Sequence, residues 1–141
     1  MEQRLTIIGL GVADLDIASH FYENKFGWKK MSSSNESIVF FQLNGILLSL
    51  YPREKLAEDA TVSSAGEGFK GFTIAYNTRS KEEVDKVIED LESKGVKIVK
   101  RPEEVFWGGY SGYISDPDDN LWEIAFNPFL PLDEKGNTIG E

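Results

Sequence analysis

The chain contains no cysteine among its 141 residues, so disulfides, thiolate metal sites and cysteine nucleophiles are excluded from the start. Histidine is nearly as scarce. His20 stands alone, in the helical stretch IASHFYENK, where an outward-facing imidazole is a solvated surface group. Positive charge is also in short supply: 15 Lys and Arg against 24 Asp and Glu leave a formal charge of −9. Nucleic-acid binding needs clustered cations to neutralise phosphates, so that partner class is set aside, whereas a cationic ligand remains compatible. No stretch approaches the roughly 18 apolar residues of a membrane helix, and MEQRLTIIGL lacks the pattern of a signal peptide, so a cytoplasmic protein without a membrane partner is expected. Ser49 has no histidine partner in view, so a serine nucleophile is excluded. The fragment GLGVAD lacks the third glycine of a dinucleotide fingerprint.

What is present reads as one plan used twice. Leu5–Val12 has β character, and Asp14 caps a helix over Leu15–Phe26 with Leu15, Ala18, Phe21, Tyr22 and Phe26 on its apolar face, stopped by Gly27. Strand-like runs follow at Trp28–Met31, Ser37–Leu43 and Ile46–Pro52, the last two joined by the hairpin signal Asn44-Gly45. A polar connector with a short helix at Glu54–Asp59 leads to the second half. There, Phe69–Tyr76 is expected as a strand, Ser80 and Glu83 as a capping box, and Val84, Val87, Ile88 and Leu91 as a helix stripe. Val96–Lys100 reads as a strand and Arg101–Gly109 as a loop. Tyr110–Ser115 and Leu121–Phe126 form a final strand pair around the turn Asp116–Asn120. FGWKK at Phe26–Lys30 lies where KGVKI stands at Lys94–Ile98. The expectation is an α+β fold of two βαβββ modules, 4–52 and 69–128, with a connector at 53–68 and a surface tail at 129–141. Each curved sheet would carry its helix on the convex side and offer the other face to a cavity.

Three segments carry a family resemblance: VADLDIASHFYENKFGW (Val12–Trp28), LSLYPREKLAED (Leu48–Asp59) and SGYISDPDDNLWEIAFNP (Ser111–Pro128). Together they resemble the vicinal-oxygen-chelate superfamily, which includes glyoxalase I, bleomycin-resistance proteins and extradiol dioxygenases. The resemblance implies the duplicated βαβββ fold, a homodimer, and four strand positions that in the metalloenzymes bind a divalent ion. Carried over, those positions fall at Ile7, Ser49, Phe72 and Glu123. Only Glu123 matches the ligand pattern, so the expectation is a site with no metal and no cofactor.

Glu123 therefore has two open roles: a ligand-binding carboxylate, or base, in an apolar pocket, or a relic paired with a neighbouring donor. Aromatic walls suit organic ligands, and the expected lining comprises Glu123, Trp107, Tyr110, Tyr51, Phe72, Ile7 and Ser49, with Tyr113 and Trp122 assigned to the core. Any catalytic role would rest on Glu123. The leading expectation is metal-independent binding of a small organic molecule, in the manner of antibiotic-sequestering members. A metal-dependent lyase, isomerase or dioxygenase, and an interaction module with a filled cavity, are the alternatives.

Overall fold

The computed structural model describes residues 1–139; the last two residues of the expected tail lie outside them. The chain divides into two compact units, Met1–Gly68 and Phe69–Glu141.

In the first unit, strand β1 (Ile7–Val12) starts two residues later than its β-type run, leaving Leu5 exposed. Helix α1 (Leu15–Asn24) begins where the Asp14 carboxylate accepts the Ile17 N–H at 2.9 Å. Strands β2 (Val39–Gln42) and β3 (Leu47–Pro52) complete a sheet ordered β1-β3-β2, with β3 parallel to β1 and antiparallel to β2. Alternation buries Leu10, Val12, Val39, Phe41, Leu48 and Leu50 together with Phe21 and Tyr22 of the helix. Each such side chain contributes about 1.5–3 kcal/mol of apolar burial, which holds the unit together.

The strand expected over Trp28–Met31 shrinks to a single bridge between Lys30 and Phe41. The Trp28 ring explains part of this. It stacks on Tyr22 at 5.6 Å and meets Phe26 and Phe41 edge-on, so residue 28 joins the helix-side aromatic cluster. Beyond Met31 the Ser34 hydroxyl accepts the Phe40 N–H at 3.0 Å, a bond that a neighbouring strand would otherwise supply. The short helix expected at Glu54–Asp59 is present as α2 (Arg53–Asp59), which packs on β1 and β3 within the first unit.

In the second unit β4 (Ile74–Thr78) starts later than expected, leaving Phe69 and Phe72 outside it and exposed. Gly68 and Gly71, at φ of 83° and 79°, interrupt the extended chain there. The Lys70 ammonium anchors the same segment by donating to Asp118 O at 2.6 Å and Asn120 Oδ1 at 2.9 Å. Helix α3 (Lys81–Ser93) is capped by Ser80, whose hydroxyl accepts the Glu83 N–H at 3.2 Å. Glu83 reaches back to the N–H of Arg79 rather than Ser80, at 2.8 Å. Val84, Ile88 and Leu91 are buried as a stripe.

Strands β5 (Lys97–Glu104), β6 (Tyr110–Ser115) and β7 (Leu121–Phe126) give the order β4-β7-β6-β5, with β4 parallel to β7 and the other pairs antiparallel. The loop expected from Arg101 is thus strand to Glu104, and it carries Pro102 by slipping register twice, between Ile98 and Lys100 and between Lys100 and Glu103. Within the described part of the tail, Leu132 bridges Thr138 around a turn whose Asp133 and Asn137 bond as Asp116 and Asn120 do. Among the described residues no helix is long and apolar enough to cross a membrane.

Candidate functional site

The β6–β7 hairpin sets the geometry around Glu123. Its register places Tyr113 directly opposite Glu123, β4 places Ala75 on the other side, and β5 places Lys100 opposite Tyr113. Ala75, Glu123, Tyr113 and Lys100 thus form one row across four strands. The adjacent residues Trp122 and Ile124 are buried on the other face. Ser111 and Ser115 share Tyr113's face by strand alternation, and the buried Ser115 hydroxyl has no hydrogen-bond partner among the described residues.

The electrostatics of the row are coupled. Burial raises the Tyr113 pKa most, followed by the negative charge of Glu123 and a side-chain hydrogen bond to it. The Lys100 ammonium lies 2.7 Å from Glu103 Oε1, and that bond is the largest cause of its raised pKa. Tyr113 and Glu123 add smaller contributions to the same shift. Glu123 therefore sits in the field of a phenol and an ammonium from its own sheet.

The grouping of Tyr110 with Glu123 is corrected by strand parity. Tyr110 pairs with Phe126, on the α3 face, and its hydroxyl donates to Asp85 of α3 at 2.8 Å. That bond is also the leading cause of its raised pKa. Tyr113, assigned to the core, is instead the direct neighbour of Glu123. Counting alternation outward from the Asp116–Asn120 turn would have found it. Nothing local signals Lys100, because the two register slips in β5 break the count.

The remaining expected residues divide between the two units, Ile7, Ser49 and Tyr51 in the first and Phe72 and Trp107 in the second. Ser49 is buried and pairs with Gly9 and Phe40, which makes it the first unit's counterpart of Glu123. Ile7 and Tyr51 share its sheet face by alternation, Ile7 being 47% exposed. Phe72 precedes β4 and is exposed. Trp107 sits in the β5–β6 hairpin tip, closed by the Val105 N–H to Gly109 O at 3.0 Å, with its ring folded over Gly109. A Cβ on Gly109 would lie 1.9 Å from that ring.

The family resemblance implies a divalent ion, and the donor set does not fit one. Ile7 and Phe72 have no lone pairs, Ser49 offers a neutral hydroxyl, and one carboxylate remains. The single histidine is on α1, with Nδ1 3.2 Å from Asp16 O. Among the described residues no group of three or more His, Cys, Asp or Glu is placed to hold a metal.

Comparison with known proteins agrees with this fold. A glyoxalase-related enzyme from Fulvimarina pelagi superposes with a TM-score of 0.88 at 33% identity, covering 99% of both chains. The uncharacterized protein YraH of Bacillus subtilis (strain 168) is 31% identical over 126 residues, covering 86% of this chain and 96% of its own. Metallothiol transferase FosB of Lysinibacillus sphaericus (strain C3-41) is 28% identical over 122 residues, covering 86% and 81%. With residues 4–124 matching the family as a whole, the chain belongs to the Glyoxalase/Bleomycin resistance protein/Dioxygenase superfamily.

Proposed function

We propose that this protein binds a small organic molecule on the Glu123 face without a divalent metal, as a sequestering member of the superfamily does. One observation supports the reading: among Ile7, Ser49, Phe72 and Glu123, the positions that the family resemblance assigns to a metal, only Glu123 has a charged donor, and Tyr113 lies directly opposite it with Lys100 one strand further on. A ligand amine or hydroxyl would donate to the carboxylate. The orphaned Ser115 hydroxyl offers a second polar contact on the same face. The ligand's apolar surface would contribute about 25 cal/mol per Å² buried, before ordering costs. Net charge −9 favours a cationic guest, an antibiotic amine among them.

The likeness to FosB favours a second reading, a metal-dependent transferase. Elemental analysis of the protein as isolated, combined with tryptophan-fluorescence titration against matched amine and neutral aromatic compounds, separates the two. The first reading expects sub-stoichiometric metal and amine binding that survives chelation. It also expects Glu123→Gln to weaken that binding about tenfold or more, since a hydrogen bond to a charged group is worth about 1.5–3 kcal/mol. Stoichiometric Ni, Zn or Fe held by side chains of this chain, or binding that disappears with EDTA, would overturn it.

A further inference from the structure

A groove open to solvent lies within the first unit, where the expected strand is missing. Its volume is about 590 Å³, and Trp28, Lys29, Lys30, Met31, Phe41 and Gln42 are among its lining residues. Its origin is topological. In the second unit β5 occupies the corresponding place and makes five registered pairs with β6, whereas the Trp28–Ser32 segment touches β2 through one bridge.

The walls of this groove are preformed. Trp28 is held against Tyr22, Phe26 and Phe41, with ring centroids 5.2–5.9 Å apart, so its indole offers a rigid flat surface at low ordering cost. The Gln42 side-chain amide is pinned by donating to Leu43 O at 2.9 Å and Ile46 O at 3.2 Å. The lip is basic. Lys29 has no carboxylate within ion-pair distance among the described residues. Among the described residues Lys30 has only a long ion-pair contact, 3.4 Å, to Glu23 Oε2, which already accepts the Ser19 hydroxyl at 3.0 Å. Two adjacent, weakly compensated lysines stand out in a chain with nine more acidic than basic groups.

We infer that this groove binds a planar aromatic anion, an aryl carboxylate being the class that fits. Its ring lies against Trp28 while its charge meets Lys29 and Lys30. The volume lies within the usual range for small-molecule sites, roughly 300–1,000 Å³. The charge preference is opposite to that proposed for Glu123, so the two sites are separable by experiment.

The test uses the full chain, ¹⁵N-labelled, titrated with 2-naphthoate and, in parallel, with 2-naphthylmethylammonium. Naphthoate should shift the backbone amides of residues 28–32 and Gln42, and the ammonium should leave them unmoved. The variant K29A/K30A should weaken naphthoate roughly three- to tenfold, as the loss of two exposed charge contacts allows. Glu23→Gln, which frees Lys30, should tighten it. Glu123→Gln should leave naphthoate affinity unchanged even if it abolishes amine binding elsewhere. Equal binding of both probes, shifts confined to the Glu123 face, or no shift at millimolar naphthoate would overturn the inference.

Discussion

Replacing Gly112 with alanine probes the feature that places Lys100 beside Tyr113. A Cβ at Gly112 would lie 2.9 Å from the Lys100 carbonyl oxygen, 2.9 Å from Pro102 N and 3.1 Å from Pro102 Cδ. Two of these contacts are backbone and the third is a rigid ring, so no rotamer change relieves them and β5 itself must move. Overpacking of this kind costs about 1–3 kcal/mol. Restricting the unfolded chain by replacing glycine returns about 0.4–1 kcal/mol. The net expectation is a loss of about 1–2 kcal/mol, or roughly 3–8 °C in Tm for a chain of this size. Gly9→Ala is the matched control: its Cβ would meet Ser49 Oγ at 3.4 Å, an ordinary contact, so the unfolded-state gain should prevail. Urea unfolding followed by circular dichroism, with unchanged m-values, measures both. Should Gly112→Ala prove as stable as Gly9→Ala within about 0.5 kcal/mol, the close approach of β5 to β6 is not as described.

Two further predictions concern the second unit. Asp119, at φ 58°, occupies the left-handed position that Gly136, at φ 82°, fills in the twin turn. Asp119→Gly should therefore raise the urea midpoint by about 0.5–1 kcal/mol of stability, because side chains are penalised there and its exposed contact to Lys97 at 3.5 Å is worth little. A fall in the midpoint would refute the strain argument. The second prediction concerns alkaline pH. Tyr113 is raised above its reference value of 10.0 by burial and by Glu123, so the fold favours the neutral phenol. Its contribution is complete below pH 10 and is lost as pH rises through the folded pKa. Tyr113→Phe should flatten that part of the stability–pH curve and leave a remainder from Tyr110, raised chiefly by Asp85. An unchanged alkaline slope would show that Tyr113 does not titrate in this field.

Much of the architecture was legible because its causes are local. Asp14 and Ser80 are caps with their partners three residues on. Strands β6 and β7 follow the bounds expected from alternation around an Asp-Pro turn. The misreadings occur where a distant group intervenes. Trp28 reads as a strand residue until Tyr22 and Phe41 are folded beside it, and nothing in the tail's sequence signals that Arg79 donates to Asp133 O at 2.9 Å and Glu134 O at 3.1 Å. Only the Arg101–Glu104 end of β5 reads as a loop, where Pro102 removes a donor. β5 accommodates this by slipping register opposite Gly112.

The residue types alone determined the chemistry available to this protein. No fold can draw lone pairs from Ile7 or Phe72, and one histidine and no cysteine leave carboxylates as the main charged donors the chain could offer an ion. Tertiary structure decided the company each group keeps. Glu123 stands beside Tyr113, with Lys100 one strand beyond, Tyr110 turns to Asp85, and Trp28 walls an open groove. Donor identity belongs to a single side chain, whereas adjacency across strands depends on register, which turns, bulges and packing between distant segments establish together.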